Sequence, residues 1–75
     1  MAAHQRTPAQ LDVGDIIAID GNVERVLRTN RVLGRWMIRT DVNLHRRRNR
    51  DRVEVLATFV PGLGYVEPLA FDLST

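Results

Sequence analysis

The 75-residue chain predicts an all-β fold, an SH3-like small barrel of about five antiparallel strands. Three observations carry this. Apolar and polar residues alternate over 35–45 and again over 52–59, the period of a half-buried strand. Asp20-Gly21-Asn22 separates two runs rich in Ile and Val, the signature of a tight hairpin. Glycine and proline turns recur between the apolar runs, giving five short strands with tight turns in about sixty residues.

In chain order, 1–6 is polar and expected to be disordered. One small domain is expected over 7–75. Thr7-Pro8-Ala9-Gln10 carries a capping-box pattern with proline at the first helical position, which predicts one short helical turn with Leu11 and Val13 tucked inward. Residues 14–29 form the first hairpin, with Ile17 and Ile19 on one face and Ile16 and Ala18 on the other. Residues 35–45 place Trp36, Ile38, Thr40, Val42 and Leu44 inward, and 52–59 does the same for Val53, Val55, Ala57 and Phe59. Pairing these two runs puts 46–51 at the tip of a long protruding hairpin. Pro61-Gly62-Leu63-Gly64 is a further turn. A last strand over 65–71 is interrupted or at an edge, because Pro68 has no N–H to donate. The tail places Leu69, Phe71 and Leu73 to close the barrel or cover a partner. Closure would remove the edges that so small a sheet leaves open.

The stretch LDVGDIIAIDGNVERVL, 11–27, resembles the opening hairpin of SH3-like barrels of the KOW type, and is similar to the N-terminal hairpin of elongation factor P. The resemblance covers about seventeen residues, and nothing beyond Leu27 is carried over from it. The chain contains no lysine, so the lysine-bearing tip loop of elongation factor P is absent and that translation role is not implied. The compact, arginine-rich, lysine-free composition also resembles small accessory proteins of actinobacterial phages.

Charge is uneven. The net charge is +2, but 43–52 carries five arginines against Asp51, a local +4, and leaves −2 on the remainder. All eleven basic side chains are arginine. Planar guanidinium suits bidentate contact with phosphate or carboxylate, and a GC-rich genome spells basic residues the same way. Arg46, Arg47, Arg48 and Arg50 are therefore the candidate contacts to a DNA or RNA backbone. Arg35 and Arg39 extend them along the outward face of the preceding strand, with Arg28 beyond. The same tip is also read as an anchor for an acidic protein surface, or as a solvated loop. Trp36, Phe59 and Tyr65 share parity with core residues, so packing explains them better than base stacking.

Other chemistry finds little support. The chain has no cysteine, which excludes disulfides and thiolate metal sites. His4 and His45 are its only histidines, and Asp12, Asp15 and Asp20 lack calcium-loop spacing. Nothing gathers a nucleophile, a base and an orienting group, so the expectation is a non-enzyme without cofactors. No apolar run approaches the roughly 20 residues of a membrane span. A soluble, cytoplasmic protein is expected. Self-association is compatible with a core this small, since about 60% of the unfolded surface is buried at this length. The composition thus leaves two classes open: a nucleic-acid-binding or regulatory module, and a protein-interaction module such as a phage or host regulator or a self-assembling subunit.

Overall fold

A computed structural model of the chain describes residues 4–67. They are all-β apart from one 3-10 turn. Seven strands follow one another: β1 (His4–Arg6), β2 (Ile16–Ile19), β3 (Asn22–Val32), β4 (Arg35–Thr40), β5 (Leu44–Arg47), β6 (Val53–Val60) and β7 (Gly64–Val66). The sheet order is β1-β6-β2-β3-β4-β5, with β7 also paired to β6, and every pairing is antiparallel. The path begins at β1 and ends at β5, so the sheet is open and has seven strands instead of the expected five.

The first hairpin forms as the Asp20-Gly21 signal predicts, with Ile19 opposite Asn22. One arm of the capping box forms at the 3-10 turn Pro8–Gln10, where the Thr7 backbone N–H donates to Gln10 Oε1 at 3.0 Å; the Gln10 N–H donates to the Thr7 carbonyl at 2.9 Å, the backbone bond of the turn itself. Leu11 is buried behind it, whereas Val13 is exposed. Residues 4–6 depart from the disordered terminus expected there, because their backbone pairs with Val53–Val55 of β6. Backbone hydrogen bonding does not require apolar side chains, so a polar strand of this kind leaves no hydropathy signal.

The run at 35–45 is not one strand. It breaks at 41–43, and β4 and β5 fold back on each other with Ile38 opposite His45. The cause is local hydrogen bonding. The Thr40 hydroxyl accepts the N–H of Val42 at 3.2 Å and of Asn43 at 2.9 Å, and Asp41 Oδ1 accepts the Arg25 N–H at 2.9 Å. Short polar side chains that satisfy the backbone in this way favour a turn over a continued ladder. Val42 and Leu44, expected inside, are consequently exposed. The expected hairpin between 35–45 and 52–59 is also absent, since β6 pairs with β1, β2 and β7.

The core consists of Leu11, Ile17, Ile19, Val26, Ile38, Val53 and Val55. Within β6, Ile16 lies opposite Ala57 and Ile17 opposite Val55, which leaves Leu56 as an extra residue. This bulge shifts the inward parity, so Thr58 is buried and Phe59 is 49% exposed. Phe59 and Tyr65, expected inside, instead form an edge-to-face pair at the surface with centroids 5.4 Å apart. Phe59 also approaches Gly14, where a Cβ would lie 3.3 Å from the Phe59 Cβ, a tight contact; the φ of +97° is what favours glycine there. Two buried carboxylates tie the strands together. Asp15 accepts the Thr58 hydroxyl at 2.6 Å and the Asp12 N–H at 2.9 Å. Glu24 accepts the Thr40 hydroxyl at 2.6 Å. The strand expected over 65–71 is realised as Gly64–Val66, and the apolar tail Leu69, Phe71 and Leu73 lies outside the described residues.

Candidate nucleic-acid interface

The three-stranded β3-β4-β5 sheet concentrates the basic charge. Between Glu24 and Asp51 the chain carries nine arginines and one acid, Asp41, a net +8; the remainder carries Arg6 and Arg52 against eight acids, a net −6. These two halves restore the overall +2. The arginine cluster at 43–52 is therefore one part of a larger basic surface. The readable signal is the absence of any acid across the five-arginine stretch 25–40.

Register fixes which side chains share a face. Arg28 lies opposite Arg39, Asn30 opposite Met37, and Val32 opposite Arg35; across the next pair, Met37 lies opposite Arg46 and Arg39 opposite Leu44. Cross-strand partners in an antiparallel sheet project to the same side. Arg28, Arg35, Arg39 and Arg46 thus surround Met37 on the outward face, and all four are exposed. The expected stripe of Arg28, Arg35 and Arg39 is brought together here with Arg46. The opposite face begins in the core at Ile38 and ends in the row Arg31, Trp36 and Arg47.

A shallow cleft of about 320 Å³ lies where β4 begins and β5 ends, lined by Arg35, Arg46, Arg47, Arg48 and Asp51. Arg46 and Arg47 belong to β5, and Arg48 opens the turn to β6, so these side chains are not at the tip of a hairpin. The turn is closed by Asp51, whose carboxylate accepts the Arg48 N–H at 2.8 Å while its own N–H donates to the Arg48 carbonyl at 3.2 Å. Arg50 is exposed on that turn and lies outside the cleft. Trp36 is half-buried instead of fully packed, and its Nε1–H donates to Asn49 Oδ1 at 2.7 Å, which anchors the turn to β4.

The arginines divide by partner. Arg47 reaches Asp20 Oδ1 at 2.9 Å and the Arg46 carbonyl at 2.8 Å, which gives it a structural role at the rim. Among the described residues only Arg6 and Arg47 come within 4.0 Å of a carboxylate. Arg28, Arg35, Arg39, Arg46, Arg48 and Arg50, like Arg25, Arg31 and Arg52, have no carboxylate within 4.0 Å among the described residues. Each holds five donors in a planar fork that matches a phosphate in bidentate geometry.

Beneath this sheet lies a buried polar chain that sequence patterning does not show. Glu24 Oε1 accepts the Thr40 hydroxyl at 2.6 Å and lies 2.6 Å from His45 Nε2; His45 Nδ1 lies 3.4 Å from Asp20. Glu24, Thr40 and His45 are all buried. The Thr40 hydrogen bond, aided by the hydrogen bond and charge of His45, holds the Glu24 carboxyl below its ordinary pKa against the opposing effect of burial. Asp20 contacts both His45 and Arg47, so the chain ends at the rim of the cleft and couples the first hairpin turn to β5. Among the described residues no group of three or more His, Cys, Asp or Glu is arranged to hold a metal ion, and no helix is long and apolar enough to cross a membrane.

No protein-family model matches the chain, and comparison with curated proteins and with solved structures returned no significant match.

Proposed function

We propose that the chain is a non-catalytic nucleic-acid-binding module, on an SH3-like sheet scaffold, that grips backbone phosphates through Arg28, Arg35, Arg39, Arg46, Arg48 and Arg50. The observation that carries this reading is the partition of charge. A net +8 over the stretch between Glu24 and Asp51, against −6 on the remainder, orients the domain toward a polyanion, and steers encounter before contact. The unpartnered guanidiniums support the same reading. Exposed arginines contribute little to stability, and like charges set opposite one another in a sheet weaken it. Phosphates relieve that repulsion and release counterions from the nucleic acid.

The test is fluorescence anisotropy with labelled duplex DNA, single-stranded DNA and RNA of equal length at two salt concentrations, beside a pull-down with the same protein. Affinity that falls steeply with salt for any of the three supports the reading. A single stoichiometric protein partner, with no polyanion affinity at low salt, would replace it with a protein-docking role for the same surface.

A further inference from the structure

The turn that joins β3 to β4 is built against local preference. Leu33 and Gly34 are its two central residues, with φ of 50° and 77°. Both positive values identify the primed two-residue turn that twisted hairpins favour, where the first central position is ordinarily Asn, Asp or Gly. A leucine there carries the steric cost of the left-handed region. It recovers nothing by packing, because Leu33 is 98% exposed, the most exposed large hydrophobic side chain among the described residues. Asparagine would make the same turn with less strain and no exposed apolar surface.

The surroundings of Leu33 limit what it can dock against. Arg31 and Arg35 lie within two residues of it, about 7 Å along the strands, and Arg28 and Arg39 face each other further down the hairpin. None of these four has a carboxylate within 4.0 Å among the described residues. A receptor must therefore offer an apolar slot between two sets of negative charges. A base step of duplex DNA is such a slot, lying between two phosphate rows. Proteins that bind the minor groove insert leucine and similar side chains between base pairs, and bend the duplex by doing so.

We infer, building on the nucleic-acid reading above, that Leu33 is an apolar wedge for duplex DNA. Arg31 and Arg35 hold the phosphates on either side of the minor groove, and Leu33 enters a base step and partly unstacks it. Such a wedge selects flexible pyrimidine–purine steps through the ease of deforming them, without base-edge hydrogen bonds. B-form DNA fits better than A-form RNA, whose minor groove is wide and shallow and leaves an inserted tip unsupported at its sides.

The experiment uses the full chain and a duplex with 2-aminopurine at a central TA step, beside a GC-rich duplex of equal length. Parent protein is expected to raise the 2-aminopurine fluorescence and to bind the TA duplex about tenfold more tightly. Leu33→Asn is expected to melt about 4 °C higher or more, to lose both effects, and to retain salt-dependent binding to either duplex. Parent protein that binds with a steep salt dependence but gives no fluorescence rise and no preference overturns the wedge and leaves backbone binding standing. So does a Leu33→Asn protein that behaves as the parent does, or one that loses a defined protein partner instead. No binding to either duplex at low salt overturns the wedge, and overturns the nucleic-acid reading as well when single-stranded DNA and RNA are not bound either.

Discussion

Arg28 and Arg39 face each other across β3 and β4, both exposed and neither within 4.0 Å of a carboxylate among the described residues. A fold optimised for stability would place opposite charges there, since cross-strand pairs are the unit of sheet stabilisation. Arg35 lies opposite Val32 and Arg46 opposite Met37, so these two arginines are diagonal neighbours on the same face. The cost of this face to the sheet is intelligible if an anion is its partner.

Arg28→Glu separates the two contributions. A Glu–Arg pair across β3 and β4 should raise stability by up to about 0.5 kcal/mol, read as a small increase in melting temperature. Affinity for duplex DNA should nevertheless fall, with the slope of log affinity against log salt flattened by about one unit or more. A variant that melts lower and binds as before would assign Arg28 to the fold.

Glu24 governs stability in acid. Its pKa is lowered in the folded state, chiefly by the Thr40 hydroxyl and then by His45. The stabilisation is therefore complete above the ordinary carboxylate range and is lost as pH falls through the lower folded value. Denaturation curves should weaken below about pH 4, and Glu24→Gln should flatten that limb. Glu24→Ala, which strands Thr40 and His45 in the interior, should cost about 3 kcal/mol or more and unfold so small a domain. A folded Glu24→Ala protein with an unchanged acid limb would contradict the network.

Trp36 links the cleft to β4 through Asn49. Because the indole is half-buried, Trp36→Ala should cost about 2 kcal/mol, less than the roughly 3–5 kcal/mol of a fully packed tryptophan. Asn49→Ala should cost about 1 kcal/mol and alter the emission of Trp36, the only tryptophan in the chain. Unchanged emission in Asn49→Ala would mean that the hydrogen bond is not populated in solution.

These assignments show where the sequence is readable. The Asp20-Gly21 hairpin, the helical turn after Thr7, the inward Ile17, Ile19, Ile38, Val53 and Val55, and the turn at Pro61 all follow from short-range rules, and all appear. Alternation failed at 41–43 because Val42 and Leu44 continue the apolar parity through a turn that Thr40 and Asp41 hold by hydrogen bonds. It failed at Phe59 because one extra residue, Leu56, reverses the faces of β6. The pairing of Glu24 with His45 spans 21 residues, beyond any local pattern. The basic surface was legible in part. A ten-residue window found Arg46, Arg47, Arg48 and Arg50, while the acid-free stretch over 25–40 becomes meaningful only when β3 and β4 lie beside β5.

The most direct test of the arginine face is the salt dependence of duplex binding for the parent protein and for the triple variant Arg35→Ser, Arg46→Ser, Arg48→Ser. Arg47 is left in place because Asp20 holds it. For the parent, log affinity should fall against log salt with a slope of about −5, as expected if the six arginines neutralise about six phosphates. In the variant the slope should flatten by about two to three units, with folding intact, since exposed substitutions of this kind cost under about 0.5 kcal/mol each. A parent protein with no affinity for duplex DNA, single-stranded DNA or RNA at low salt, or a folded variant whose slope matches the parent's, would contradict the account.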